Sequence, residues 1–161
     1  MVIGIVIPVD EGQPIFRREF KHLSEYQEAV HGYIESIDLD SMNASFYVNG
    51  EGKIDGLPVN RRATLLWWLA SPQMRLRDAI SGDACLIGLP DHRGVSQAVP
   101  DELATLLLDT KYYRTEFQTA DSKGVFNGNA LTYQDFWDAA NAALLKMERW
   151  AAVERVRVVP D

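Results

Sequence analysis

The opening run Val2-Ile3-Gly4-Ile5-Val6-Ile7-Pro8-Val9 limits the fold more than any other stretch of the chain. Its β-branched side chains are stiff at χ1 and suit a pleated surface, so the run reads as a buried strand. A buried strand needs neighbours, and the rest of the chain supplies them. Ile15-Phe16-Arg17-Arg18-Glu19-Phe20, just after Gly12, reads as a second strand closing a hairpin. Tyr33 to Leu39 and Asn43 to Val48 are rich in β formers, and Asn49-Gly50-Glu51-Gly52 carries turn chemistry, so a β-meander is expected there. Gly82 to Gly88, Tyr112 to Gln118 and Val153 to Val159 complete the set of strands. The first run lacks a basic leader and breaks after about eight residues at Pro8 and Asp10, which is too short for a signal segment or a membrane span.

Helix signals fall between these strands. Ser24-Glu25-Tyr26-Gln27 has capping-box spacing for a helix from Glu25 to His31, with Gly32 as its left-handed stop. Asn60 is placed to cap Ala63 to Ala70, which Ser71-Pro72 ends. Pro100-Asp101-Glu102 opens a third helix whose apolar face is Leu103, Leu106 and Leu107. Thr132-Tyr133-Gln134-Asp135 opens a fourth, to Trp150, with Phe136, Trp137, Ala140, Leu144 and Met147 at helical spacing. The expected fold class is α+β: a mostly antiparallel sheet or meander with about four helices packed on it. With 161 residues and no linker, low-complexity tract or repeat, residues 1–161 are read as one domain.

Composition matters where it bears on partners. Hydrophobic residues make up 47% and charged residues 24%, so the chain can bury a core unaided. A net charge of −7 repels long nucleic acids at range, which disfavours generic nucleic-acid binding. Acidity could instead mimic DNA, but carboxylates alternate with Lys and Arg in most segments, which ranks an acidic DNA-mimic inhibitor third among the functional readings. The lone cysteine, Cys85, lies in the apolar run Ala84-Cys85-Leu86-Ile87 and reads as a small buried hydrophobe in a reducing cytoplasm.

No phosphate-binding glycine loop, dinucleotide fingerprint, paired-histidine zinc helix or nucleophile elbow is found. His22 and His31 stand nine residues apart, which is not the spacing that places two ligands on one helical face. No catalytic residue, metal ligand or cofactor is therefore assigned. The pairs Asp38 with Asp40 and Asp135 with Asp138 are read as solvated charge, Asp135 being explained as a capping residue. Asn60-Arg61-Arg62 is the unusual feature, because two cations at a helix start oppose the dipole at up to about 1 kcal/mol each. Either a bound phosphate or carboxylate offsets them through the Arg forks, or a nearby acid such as Glu51 or Asp55 pairs with them. Trp67 and Trp68 point about 100° apart on a helix. Either one is exposed as a partner-interface anchor, or both are buried in the core.

Taken together, several stretches resemble the family of domain of unknown function 3846, common in bacteriophages and their bacterial hosts. They are Val6-Ile7-Pro8, Leu23 to Glu35, Val48-Asn49-Gly50-Glu51-Gly52-Lys53, Gly56 to Ala63 and Gly82-Asp83-Ala84, covering about the first 90 residues. The Trp67-Trp68 helix and Glu148-Arg149-Trp150 look like the longer versions carried by actinobacterial phages. The resemblance implies no activity and transfers no catalytic residue. It does include Asn60, Arg61 and Arg62, which with Asn49 and Lys53 form the candidate ligand contacts. The expected function is that of a cytoplasmic, non-enzymatic phage or prophage accessory protein. It would act in anti-defence or host takeover, sequestering an anionic, nucleotide-like molecule or blocking a host protein. An enzyme acting on a phosphorylated or nucleotide substrate is the alternative, and self-association is left open.

Overall fold

The computed structural model describes residues 1–161, which divide into two compact units, Met1–Ala104 and Thr105–Asp161. In the first, the opening run forms β1 (Val2–Ile7), and β2 (Phe16–Phe20) returns antiparallel to it with Val2 opposite Phe20 and Val6 opposite Phe16. A second antiparallel pair is made by β3 (Ile34–Leu39) and β4 (Ala44–Asn49). The sheet is not a plain meander: β5 (Ala84–Gly88) inserts between the two hairpins, giving the order β2-β1-β5-β4-β3. A central strand must be apolar on both faces, and all five residues of β5 are buried. Gly88 is required where Gln97 pairs with it, since a Cβ there would lie 2.4 Å from the Ala98 carbonyl oxygen.

Period-two alternation divides the core between the two sheet faces. Val6, Phe20, Cys85 and Ile87 meet Tyr26, Ala29 and Val30 of α1 (Leu23–Val30), with Tyr26 stacked on Phe20 at 4.3 Å and edge-on to Tyr47 at 4.9 Å. Ile5, Ile7, Phe46 and Leu86 point the other way and are fully buried. α2 (Arg61–Ala70) is fixed to the sheet at both ends. Asn60 caps it by accepting from the Ala63 amide at 3.0 Å, while the same side chain donates to the carbonyls of Ile7 (2.8 Å) and Gly82 (3.0 Å). At the far end the Ser41 hydroxyl donates to the Ala70 carbonyl at 3.1 Å.

The capping box expected at Ser24 does not form. α1 begins at Leu23 behind His22, whose side chain makes no cap, so Ser24 already lies inside the helix. Its left-handed stop is His31 (φ 64°) rather than Gly32, with the His31 amide on Glu28 and the Gly32 amide on Gln27. Gly32 is needed for a different reason: a Cβ there would sit 2.7 Å from the Asn49 amide nitrogen.

α3 (Asp101–Leu108) opens behind Pro100 as expected. The second unit holds β6 (Tyr113–Thr119), the short β7 (Asn127–Gly128), α4 (Phe136–Arg149) and β8 (Val153–Pro160), its antiparallel sheet ordered β7-β6-β8. Asp135, not Thr132, caps α4, accepting from the amides of Trp137 (2.7 Å) and Asp138 (3.0 Å). Thr132 is held in extended chain because Tyr133 exchanges both backbone hydrogen bonds with Tyr113, and its hydroxyl goes to Asp161. α4 packs on β6 and β8, with Phe136 edge-on to Tyr113. On the opposite sheet face Glu116 lies between Arg114 and Arg157, and the Arg157 guanidinium sits 3.9 Å over the Phe126 ring. The chain is α+β, with four helices and two antiparallel sheets.

Two residues, Asn60 and Cys85, test this architecture. Asn60→Ala removes a cap and leaves buried carbonyls unsatisfied, so chemical denaturation is expected to register a loss of at least about 2 kcal/mol. Asn60→Asp, which keeps the cap acceptor but buries a charge against two carbonyls, is expected to cost more. Burial pushes the Cys85 thiol up to about 12, so alkylation of the native protein at pH 8 is expected to be far slower than that of the unfolded chain. Because the folded value lies above the unfolded one, stability is expected to fall as pH rises past about 9.

Candidate functional site

Where β1 ends, the chain enters a loop from Pro8 to Pro14 that is exposed from Asp10 onward, and the start of α2 meets it. Arg62 is buried and donates to the carbonyls of Pro8 (2.7 Å) and Asp10 (3.2 Å), so it holds the loop's backbone. Arg61 stays at the surface and closes its fork on Glu11, with Nε 3.1 Å from both carboxylate oxygens and Nη2 2.6 Å from one. The two side chains are 48% and 46% exposed, which puts the pair within reach of solutes. The Arg61 hydrogen bonds hold the Glu11 carboxyl below its ordinary value against the opposing cost of burial, with the charges of Arg61 and Arg62 adding to the effect. The cations of the helix start thus meet Glu11 and loop carbonyls. Fifty residues separate Arg61 from Glu11, and no local spacing rule reaches that far.

A second polar junction lies on the same loop. Asp83, just before β5, accepts from the Val9 amide at 2.7 Å through one oxygen and meets His31 Nε2 at 3.1 Å through the other. His31 is exposed, Asp83 is half-buried, and His31 is held in the left-handed region that non-glycine residues seldom occupy. Stretches that are distant in sequence therefore converge at one end of the sheet: Pro8-Val9, His31-Gly32, Asn60-Arg61-Arg62 and Gly82-Asp83.

The remaining candidates are engaged internally. Asn49 is buried, donates to the carbonyls of Val30 (3.1 Å) and His31 (3.2 Å), and accepts from the Glu51 amide, so it joins α1 to the end of β4. Asn60 is 1% exposed and fully used by its three hydrogen bonds. Lys53 pairs with Asp78, and that hydrogen bond holds the Asp78 carboxyl below its ordinary value. Trp67 is buried and Trp68 half-buried, its indole N–H donating to the Asp78 carbonyl at 2.8 Å. The tryptophan pair is spent on packing, so the exposed anchor envisaged for a partner interface is not formed. Glu11 is the residue that sequence reasoning missed; His31 and Asp83 stand in stretches carrying the family resemblance, but nothing local pairs positions 52 apart.

Chemically, the junction offers a surface guanidinium fork already closed on a carboxylate, beside an imidazole–carboxylate pair. His, Cys, Asp and Glu side chains form no group of three or more able to hold a metal ion, and no helix is long and apolar enough to cross a membrane. A family model described as domain of unknown function (DUF3846) matches residues 3–118, a span that includes Arg61, Arg62, His31 and Asp83 and stops short of α4 and β8. No curated protein and no solved structure matches the chain.

Glu11 and Asp78 titrate below their unfolded values of 4.5 and 3.8, so the stability they contribute is present at neutral pH and is lost as pH falls through the folded values. Glu11→Gln and Asp78→Asn are each expected to flatten the acid side of the stability profile measured by urea denaturation. Each change should cost less than about 1 kcal/mol at pH 7, since both pairs are exposed.

Proposed function

The chain belongs to the DUF3846 family, and on that footing we propose that it is a phage- or prophage-encoded accessory binding protein of the bacterial cytoplasm. In this reading it is non-enzymatic and sequesters an anionic, nucleotide-like ligand in anti-defence or host takeover. The observation that carries the proposal is the Arg61 fork at the start of α2, half-exposed and closed on the carboxylate of a loop residue. Such a fork suits phosphate oxygens as well as it suits a carboxylate. An exposed ion pair contributes only about 0–1 kcal/mol, so Glu11 is cheaply displaced by a doubly charged phosphate, whose approach the helix dipole also favours. Arg62 keeps the loop in place while the exchange occurs. Blocking of a host protein has less support, because neither Trp67 nor Trp68 offers an exposed anchor.

A specific observation favours a second reading, an enzyme acting on a phosphorylated substrate. The carboxylate of Asp83 orients the exposed His31 imidazole, an arrangement suited to proton transfer. Turnover of a nucleotide, lost in Asp83→Asn, would select it over sequestration.

Thermal denaturation against linear and cyclic nucleotides and inorganic phosphate tests the leading reading. A ligand at 100 times its dissociation constant stabilises the folded protein by about 2.7 kcal/mol. An upward shift is expected that Arg61→Ala diminishes and that Glu11→Gln, which removes the competing internal carboxylate, enlarges. A panel with no Arg61-dependent shift would sink the proposal.

A further inference from the structure

The carboxyl end of α4 bears a groove of about 390 Å³ lined by Ala142, Leu145, Lys146, Arg149 and Trp150. That volume lies in the range of about 300–1,000 Å³ usual for small-molecule sites. Its aromatic wall is unusual for this chain: Trp67 and Trp137 are 7% and 8% exposed, whereas Trp150 is 46% exposed. Lys146 does not lie against a carboxylate. Its ammonium sits 5.6 Å from the centres of both the Trp150 and Phe117 rings. Arg149 adds a second cation to the lining, and Ala142 and Leu145 give an apolar, half-buried floor. The end of a helix carries roughly half a negative charge, so the two cations leave the groove positive despite the exposed α4 carbonyls. Glu148, the acid of that turn, is not part of the lining.

We propose that this groove is a binding site for a free nucleotide, its base stacked on the Trp150 indole and its phosphate held by Arg149 and Lys146. Stacking a base on an exposed aromatic ring is sequence-tolerant and favourable, and a guanidinium suits phosphate oxygens. The footprint favours a small ligand over a protein. All five lining residues fall between positions 142 and 150, about 12 Å of helix, whereas a protein interface usually engages about 20–30 residues a side. This site goes beyond the Arg61 reading, because it lies on a different element and outside the stretch matched by the family model.

The test is a titration of the full chain with AMP, with adenosine and inorganic phosphate alongside, followed by indole fluorescence. AMP is expected to quench the emission and to bind at least about tenfold more tightly than either fragment. Trp150→Leu is expected to abolish the quench. Lys146→Gln combined with Arg149→Gln, which alters only exposed side chains and so keeps the test valid if Trp150→Leu misfolds, is expected to weaken AMP at least about tenfold. Arg61→Ala should leave the titration unchanged, and Trp150→Leu should leave any Arg61-dependent thermal shift in place, so the two sites fail separately. No quench at millimolar AMP, an affinity no better than that of the fragments, or a quench that survives both the Trp150 and the Lys146 and Arg149 changes would overturn the proposal. A quench abolished by Arg61→Ala would do the same, by placing the nucleotide at α2.

Discussion

The side chain of Asn60 is the joint on which the Met1–Ala104 unit depends. An amide is the one neutral group of this size that can accept from a helix amide while donating twice to carbonyls, and Asn60 does all three when almost fully buried. Those bonds fasten the start of α2 to the end of β1 and to the residue before Asp83. Fixing these three chain segments to one another fixes the loop from Pro8 to Pro14 and therefore every polar group around it. Aspartate could cap the helix but could not donate, and a serine would reach fewer partners.

The placement of the two arginines follows from that joint. Adjacent residues at a helix start point in different directions, so one guanidinium turns inward to loop carbonyls and the other outward to Glu11. The inward cation is structural, because removing it would take a partner from the buried Pro8 carbonyl. The outward one pairs with Glu11 at the solvent-exposed surface. Two residues of the same type thus do different work, and burial is what separates them.

Asp83 and Asn49 extend the same logic to α1. Asp83 links the loop amide of Val9 to His31, and Asn49 ties the last carbonyls of α1 to the turn after β4. The left-handed conformation of His31 is stabilised from both sides, by helix-ending amide bonds and by the Asn49 side chain, which offsets the strain a non-glycine residue carries there. The α4 groove is different in kind, because all of its lining comes from one helix end.

The sequence alone determined the element types, because period-two and period-3.6 patterns and turn residues act over a few positions. β1, β5, the Asn60 cap and the apolar stripe of α4 were all legible for that reason, as was the buried Cys85. Patterning did not settle which of several plausible caps is used. Thr132 lost to Asp135 because the backbone pairing of Tyr133 with Tyr113 decided where α4 could begin, and α1 starts behind His22 with no side-chain cap. Only the tertiary structure placed β5 between the two hairpins, chose Glu11 as the partner of Arg61 and joined His31 to Asp83. Those outcomes depend on contacts between residues some fifty positions apart, whose energies no local rule contains.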